Sequence, residues 1–424
     1  MSSTTLDGTD YLDAVSSDPG ALGWMQGFPP PHNRVIRFED DRCFEFPESR
    51  WSLSHIRELM PTVAVSRDPH QQRTLTASND GHQEAIESLR FIDLTGQTLS
   101  WEQGLLGTYT DGIAIIHRGR LVYERYFGAL RPHLPHLSFS LTKSYVATLA
   151  ASLIYQGVLK DDWTAQHLIP ELKGSAYADA TIRQLLDMEV GVRYSEDYAD
   201  RQSAVWQYQW ATGMRPRPHP YDGPADLRAL LPLLKKEGEH GQVFDYKTPN
   251  TEVLSWIMER LTGQPIAQFL SEQLWAPLGC EFDGTLIVDP TGVAVTGAGL
   301  SVTLRDLARF GELMCRHGAQ GISQLIPAAV IDELIKGGEQ THFSATDYPL
   351  LPGYSYRNQW WVTHNALGAF EGRGIHGQRL HIAPRAELVI ARLASHPVAT
   401  SAANDLITLP LFAAVTELLC QERL

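Results

Sequence analysis

The order of elements along the chain predicts an α+β fold. One antiparallel sheet comes from both chain ends and is flanked by helices, with a mostly helical lobe inserted between its halves. Three observations carry this. A strand pair opens the folded part, from Gly112 to Phe127. Helical periodicity dominates from Ala147 to about Gly284. Strand patterns return from Gln359 to Leu393, before a terminal helix. The expected division is a leader over 1–85 packing on a main unit over 86–424. Within that unit, 86–140 and 285–424 form the sheet lobe and 141–284 the helical lobe.

In order, residues 1 to about 85 read as an irregular leader. Phe28-Pro29-Pro30-Pro31-His32-Asn33 and Ser78-Asn79-Asp80-Gly81 have loop chemistry. Trp51 to Met60 reads as a short helix stopped by Pro61. Ile113 to Ile116 is an apolar strand, His117-Arg118-Gly119-Arg120 turns, and Leu121-Val122-Tyr123 returns. Beyond Ser144, Val146, Leu149, Ala150, Leu153 and Ile154 recur at helical spacing, and Gly157 marks the stop. Ile182 to Met188 reads as a short helix. Arg193 to Pro224 is too long for a plain connector, and such loops are often functional. Thr248-Pro249 opens a helix, Val253, Leu254, Ile257 and Leu261 face it inward, and Gly263 ends it. Thr303-Leu304-Arg305-Asp306 reads as a capping box for a helix through Cys315. Gln359 to Val362 is a strand. Arg379 to Ile382 and Glu387 to Leu393 form a hairpin around Pro384-Arg385. Asn404 to Leu419 is a helix with a kink expected at Pro410.

Composition narrows the function classes. The chain has 424 residues, 43% hydrophobic and 20% charged, which are globular values. A formal net charge of -14 argues against nucleic acid and anionic membranes as partners. The 4 cysteines, Cys43, Cys280, Cys315 and Cys420, are scattered, so neither a disulfide framework nor a structural zinc site is expected. Met1 to Gly20 is polar and acidic, without the pattern of a secretory signal, and no apolar run reads as long enough to span a bilayer. The expectation is a cytoplasmic protein acting on a small molecule, with a homodimer compatible.

The stretch that carries chemistry is Ser138-Phe139-Ser140-Leu141-Thr142-Lys143-Ser144. It lies between an extended and a helical pattern, so Ser140 and Lys143 share one face of a first helical turn. Serine is a poor nucleophile until a base removes its proton. Lysine serves as that base only when neutral, which near pH 7 costs about 4–5 kcal/mol from its reference pKa. Burial shifts lysine downward by up to about 3–5 units, enough to supply it. Phe139 and Leu141 are candidate walls of such a pocket. Tyr246, just ahead of the helix at Pro249, is a candidate for general acid–base work beside a cationic lysine. In Gly372-Arg373-Gly374-Ile375-His376-Gly377-Gln378, glycines allow close backbone approach, so an edge strand there can offer an N–H to an oxyanion. G-x-S-x-G, G-x-x-x-x-G-K-[ST] and H-E-x-x-H are absent. His133 and His136, beside Pro132 and Pro135, read as exposed loop residues rather than ligands.

Taken together, these segments resemble the serine β-lactamase-fold hydrolases, and among them the 6-aminohexanoate-dimer (nylon-oligomer) hydrolases and related carboxylesterases. The likeness runs from Pro30-Pro31-His32-Asn33-Arg34 to the terminal helix, through Val63 to Arg67, Leu185 to Met188, Glu196-Asp197-Tyr198, Tyr246 to Trp256, Arg305 to Arg309 and Gly374 to Gln378. The resemblance implies a β-lactamase/transpeptidase-like fold and hydrolysis of a small linear amide or ester through an acyl-enzyme, with no cofactor and no metal. It implies Ser140 as nucleophile, Lys143 as its activator and Tyr246 as proton shuttle. The backbone N–H groups of Ser140 and Ile375 would form the oxyanion hole, and Tyr198, His376 and Asn250 would face the substrate. The chain departs from the family at two motifs. Thr248 stands where relatives often carry Asn in Y-x-N, while a literal Y-x-N at Tyr356-Arg357-Asn358 comes too late and reads as a decoy. The Lys-Thr-Gly of true β-lactamases is replaced by Ile375-His376-Gly377, which removes a contact for a β-lactam carboxylate. Carboxylesterase action with little amidase activity, or a sensor that acylates without turnover, are the alternative outcomes.

Overall fold

Ile113-Ala114-Ile115-Ile116 is apolar without alternation because both faces of its strand are covered. In the computed structural model, which describes residues 2–78, 81–343 and 347–421, this strand lies within a seven-stranded antiparallel sheet. Its strands are β1 (Thr110–His117), β2 (Arg120–Tyr126), β3 (Ser355–Arg357), β4 (Trp360–Val362), β5 (Phe370–Gly374), β6 (Gln378–Ala383) and β7 (Leu388–Ala394). Their spatial order is β3-β4-β5-β6-β7-β1-β2, so β7 from the far end of the chain pairs with β1, Ile390 opposite Ile115. The sheet from both chain ends is therefore observed. Arg118 and Gly119, with φ of 51° and 76°, make the tight turn between β1 and β2.

The two-residue period of a strand sorts the core. Ile113, Ile115, Leu388 and Ile390 pack on one face against Leu411, Phe412 and Val415 of the terminal helix, Ser401–Gln421. Ala114, Ile116, Val389 and Ala391 belong to the opposite core, with Leu307 and Phe310 of the helix Leu304–Cys315. Full burial of each of these isoleucines contributes about 1.5–3 kcal/mol. Thr303 caps the latter helix by accepting from the Asp306 N–H, but the capping box is incomplete. The Asp306 carboxylate instead accepts from the N–H groups of Glu281 and Phe282.

The terminal helix corrects one expectation. At 21 residues it is long and apolar enough, by length and composition, to cross a bilayer, and it runs continuously through Pro410. It lies on the sheet, and Leu411, Phe412, Val415 and Leu419 are buried there.

The helical lobe contributes α1 (Leu141–Tyr155), buried almost along its whole length, and α2 (Pro249–Thr262), which Gly263 ends at φ 69°. The leader carries more structure than its sequence suggested. It holds a hairpin, Ser3–Leu6 with Thr9–Leu12, three short α-helices, Pro19–Leu22, Ser49–Ser52 and Ile56–Leu59, and the strand Thr62–Val65. That strand edges a four-stranded sheet completed by Gly284–Ile287, Leu300–Val302 and His136–Leu137. The expected loop at Ser78 to Gly81 falls partly outside the described residues, at Asn79 and Asp80. His136 is not an exposed loop residue: it is 1% exposed, with its ring 3.3 Å from the Asp111 carboxylate.

Candidate active site

The strand His136–Leu137 delivers the chain to the site, and one strained residue turns it into α1. Phe139 has φ 46°, a left-handed conformation that costs a bulky side chain about 1–3 kcal/mol. Hydrogen bonds on both sides hold it there. The Ser138 N–H and hydroxyl both donate to the Leu300 carbonyl, at 2.8 and 2.7 Å. The Thr142 hydroxyl donates to the Phe139 carbonyl at 2.6 Å and accepts from the Leu300 N–H at 3.0 Å. The turn places Ser140 at the mouth of α1, where its hydroxyl makes no capping bond and faces a cavity instead.

Lys143 lies one turn on and is 1% exposed. Its Nζ is 2.9 Å from Ser140 Oγ, 3.1 Å from Thr248 Oγ1 and 2.7 Å from the Gly297 carbonyl oxygen. Burial pulls its pKa from the ordinary 10.5 down to about 8, against the opposing pull of Glu196 and Glu252. A neutral amine has two N–H donors and one lone pair. The Gly297 carbonyl must take one donor and the Thr248 hydroxyl can take the other. The lone pair is then left for the proton of Ser140.

The partners of that amine are themselves fixed. Glu252, in the first turn of α2, accepts from the Thr296 and Gly297 N–H groups at 3.0 and 2.7 Å, and from the hydroxyls of Thr296 and Tyr208. Burial raises its pKa, and those four donors oppose the rise. Gly297 admits no side chain, because a Cβ would lie 2.5 Å from Thr248 Cγ2 and 2.9 Å from the Glu252 carboxylate. The Thr248 N–H donates to the carboxylate of Glu196.

Tyr246 closes the group. Its ring is 5.0 Å from Lys143 Nζ and stacks on Trp361 at 5.8 Å, and it lines the smaller of two cavities together with Ser140. Burial, then the charge of Glu196, push its pKa well above 10, so it stays protonated. Opposed shifts on neighbouring groups separate acid from base. Here Lys143 is the group poised to accept a proton and Tyr246 the one poised to hold it. The adjacent Lys247 plays no part, since it pairs with Asp245 at 3.0 Å.

The glycine-rich segment reaches Ser140 differently from the edge strand expected. Strand β5 lies between β4 and β6. Its pairing with β4 ends at Glu371, however, so Gly372 to Gly374 run on alongside the start of α1. A Cβ at Gly372 would lie 2.4 Å from Leu141 Cδ2, and one at Gly374 2.5 Å from the Ser138 carbonyl oxygen. Ile375 and Ser140 thereby line the same space. His376 lies beside them, its ring 5.4 Å from Phe139 and its Nδ1–H donating to the His396 carbonyl at 2.7 Å. Burial lowers its pKa to about 4, so it is neutral at ordinary pH.

Two cavities meet at Ser140. The larger, of about 1240 Å³, also touches Tyr198, Trp206, His376 and Phe139. The smaller, of about 370 Å³, is walled by Tyr246, Tyr348, Leu350 and Trp361. Glu196, Tyr198 and Ile375 border both. Residues from Glu196 to Arg215 wall much of the larger one, which accounts for the length of the Arg193 to Pro224 connection. The Tyr198 hydroxyl is 3.4 Å from the Glu196 carboxylate.

Asn250 corrects the substrate-facing set. It is 0% exposed and touches neither cavity. Its Oδ1 accepts from the Tyr177 hydroxyl at 3.1 Å and its amide donates to Met188 Sδ. Position 250 is the second residue of α2, on the side turned toward the core. Asn250→Ala is expected to lower stability by about 1–3 kcal/mol, because the Tyr177 hydroxyl loses its acceptor, while KM stays unchanged. Denaturant midpoints and steady-state kinetics measure the two effects. The late Tyr356-Arg357-Asn358 also stays out of both cavities, with Tyr356 4% and Asn358 1% exposed. Sequence reasoning missed Glu252, Gly297 and the part played by Glu196. An acidic residue in a first helical turn is ordinary dipole chemistry, so Glu252 carried no separate signal.

Comparison with known proteins identifies the family and the fold. Residues 97–413 match the Beta-lactamase family. The chain is 35% identical to a 6-aminohexanoate-dimer hydrolase of Paenarthrobacter ureafaciens over 359 residues, 84% of this chain and 88% of that one. A Bacillus anthracis structure provisionally named 6-aminohexanoate-dimer hydrolase superposes with a TM-score of 0.81 at 30% identity, covering 92% of this chain and 99% of that one. EstCE1, a hydrolase with promiscuous acyltransferase activity, shares the fold at a TM-score of 0.55 and 17% identity, over 74% of this chain and 98% of its own. The chain belongs to the beta-lactamase family, as a serine hydrolase related to 6-aminohexanoate-dimer hydrolase.

Proposed function

We propose that the protein hydrolyses a small linear amide or ester through an acyl-enzyme on Ser140. The observation that carries this reading is the 2.9 Å contact between the Ser140 hydroxyl and a fully buried lysine amine. Lys143 takes the hydroxyl proton as Ser140 attacks the carbonyl carbon. The N–H groups of Ser140 and Ile375 receive the developing oxyanion. Tyr246 gives a proton to the departing amine or alkoxide and is reprotonated from Lys143. Water then attacks the acyl-enzyme with the same groups acting in reverse. A linear substrate is favoured because the 6-aminohexanoate-dimer hydrolases are the relatives that match most of the chain, and because Ile375-His376-Gly377 offers no lysine to a β-lactam carboxylate. The partner is thus a small molecule rather than nucleic acid or membrane, and a homodimer is compatible. Four free cysteines, three of them buried, suit a reducing, cytoplasmic setting.

Amide cleavage demands more of the proton donor than ester cleavage, since an amine leaves only once protonated. Tyr198 borders both cavities beside Ser140, which supports assigning it the role of holding that nitrogen. Tyr198→Phe is therefore expected to lower kcat on 6-aminohexanoate dimer by about 100-fold, the lower end of the range of a positioned acid–base group. It should change turnover of a matched ester less than threefold. An amide rate equal to wild type would favour the carboxylesterase reading. An adduct that forms but never clears, seen by intact mass, would favour the sensor.

A further inference from the structure

The larger cavity is lined in part by residues outside the stretch that matches the family model. Its wall includes Asp7, Thr9 and Tyr11 of the N-terminal hairpin, whereas the family match begins at residue 97. At about 1240 Å³ the cavity exceeds the roughly 300–1,000 Å³ that suits a drug-sized ligand, so it has room for an elongated one.

The hairpin is built to hold its place there. Asp7 and Gly8, with φ of 48° and 75°, form the tight turn at its tip. Ser3 to Leu6 pair in register with Leu12 to Thr9. A two-stranded hairpin alone is marginal in water, so its position depends on anchors. The Tyr109 hydroxyl donates to the Leu12 carbonyl at 2.8 Å, and the Ser2 N–H donates to Ser16 Oγ at 2.9 Å. The Tyr11 ring packs edge-on against Phe46 at 5.7 Å, and Phe46 against Tyr109 at 5.5 Å. Tyr109 adjoins β1, so the hairpin base is tied to the central sheet while its tip faces the cavity.

The two cavities also differ in what they offer the reaction. Tyr246, the proposed proton donor to the leaving group, borders the smaller one and not the larger. The leaving group therefore belongs in the smaller space and the acyl group in the larger. We propose that the hairpin Ser3–Leu12 is the distal wall of the acyl site and selects substrates with an elongated acyl chain bearing N–H donors. The Asp7 carboxylate and Thr9 hydroxyl are the acceptors that would meet those donors, with the Tyr11 ring beneath the chain. The proposal rests on the Ser140 reading of the site.

The test compares nitrophenyl acetate with the nitrophenyl ester of N-(6-aminohexanoyl)-6-aminohexanoic acid. The leaving group is common to both, so only the acyl site is varied. Deletion of residues 2–12, and the double change Asp7→Ala with Tyr11→Ala, should each lower the long-to-short ratio of kcat/KM at least tenfold, mainly through KM of the long ester. An unchanged ratio, or an equal fall on both esters, would overturn the proposal. If the deletion fails to fold, the point variants decide. Turnover of nitrophenyl acetate by Ser140→Ala would instead overturn the underlying reading of the site, whatever the hairpin variants do.

Discussion

Ser140→Ala is expected to reduce kcat/KM by about 10⁴- to 10⁶-fold on whichever amide or ester is cleaved, the scale seen when a serine nucleophile is removed. That loss corresponds to about 5–8 kcal/mol of transition-state stabilisation. The fold should be indifferent to the change. The Ser140 hydroxyl caps nothing at the start of α1, and Lys143 keeps its bonds to Thr248 and Gly297 when the hydroxyl goes. The strained Phe139 turn is held by Ser138 and Thr142, not by Ser140. Thermal unfolding of the variant should therefore lie within a few degrees of wild type while turnover vanishes. Intact mass adds a second reading, because the variant can show no acyl adduct on residue 140. Retained activity with an unchanged melt would place the nucleophile elsewhere.

The features that were legible in the sequence are those whose physics is local. Ser140 and Lys143 are three apart on a helix, so their meeting follows from helical geometry alone. The end of α2 at Gly263 and the β1–β2 turn at Gly119 follow from glycine at positive φ. What needed coordinates is non-local. The Gly297 carbonyl that receives Lys143 is 154 residues away in sequence, and nothing near Gly297 announces an amine. The membership of Gly372 to Gly374 in an interior strand depends on where the pairing of β4 stops, which pattern does not fix. Asn250 was misplaced because a residue after a helix start points into core or cavity according to the rotation of the helix, and tertiary packing decides that. The N-terminal hairpin is local and does have a signature, Asp7-Gly8 between Thr4-Thr5 and Thr9, set within a polar and acidic stretch.

Lys143→Met is expected to cost about 10³-fold or more in kcat/KM, and its pH behaviour identifies why. Only the neutral amine can accept the Ser140 proton. With a pKa of about 8, wild-type kcat/KM should rise roughly tenfold per pH unit below pH 8 and level off above it. Methionine has nothing to titrate, so the residual activity of the variant should lack that limb. Stability should carry the same signature with a definite sign. From pH 8 to 10.5 the unfolded chain keeps a proton on Lys143 that the folded chain has released, so wild-type stability rises with pH across that window. Below pH 8 the folded protein buries a charged amine at a cost on the order of 3 kcal/mol relative to high pH. Methionine of similar length removes that cost but leaves the Gly297 carbonyl without its donor, which takes back about 1–3 kcal/mol. The difference in unfolding free energy, variant minus wild type, should therefore fall by about 3 kcal/mol between pH 7 and pH 10.5, whatever its starting value. Denaturant unfolding of both proteins at several pH values measures it. A flat difference would mean that the lysine is charged in the folded protein throughout, and a charged lysine cannot be the base that activates Ser140.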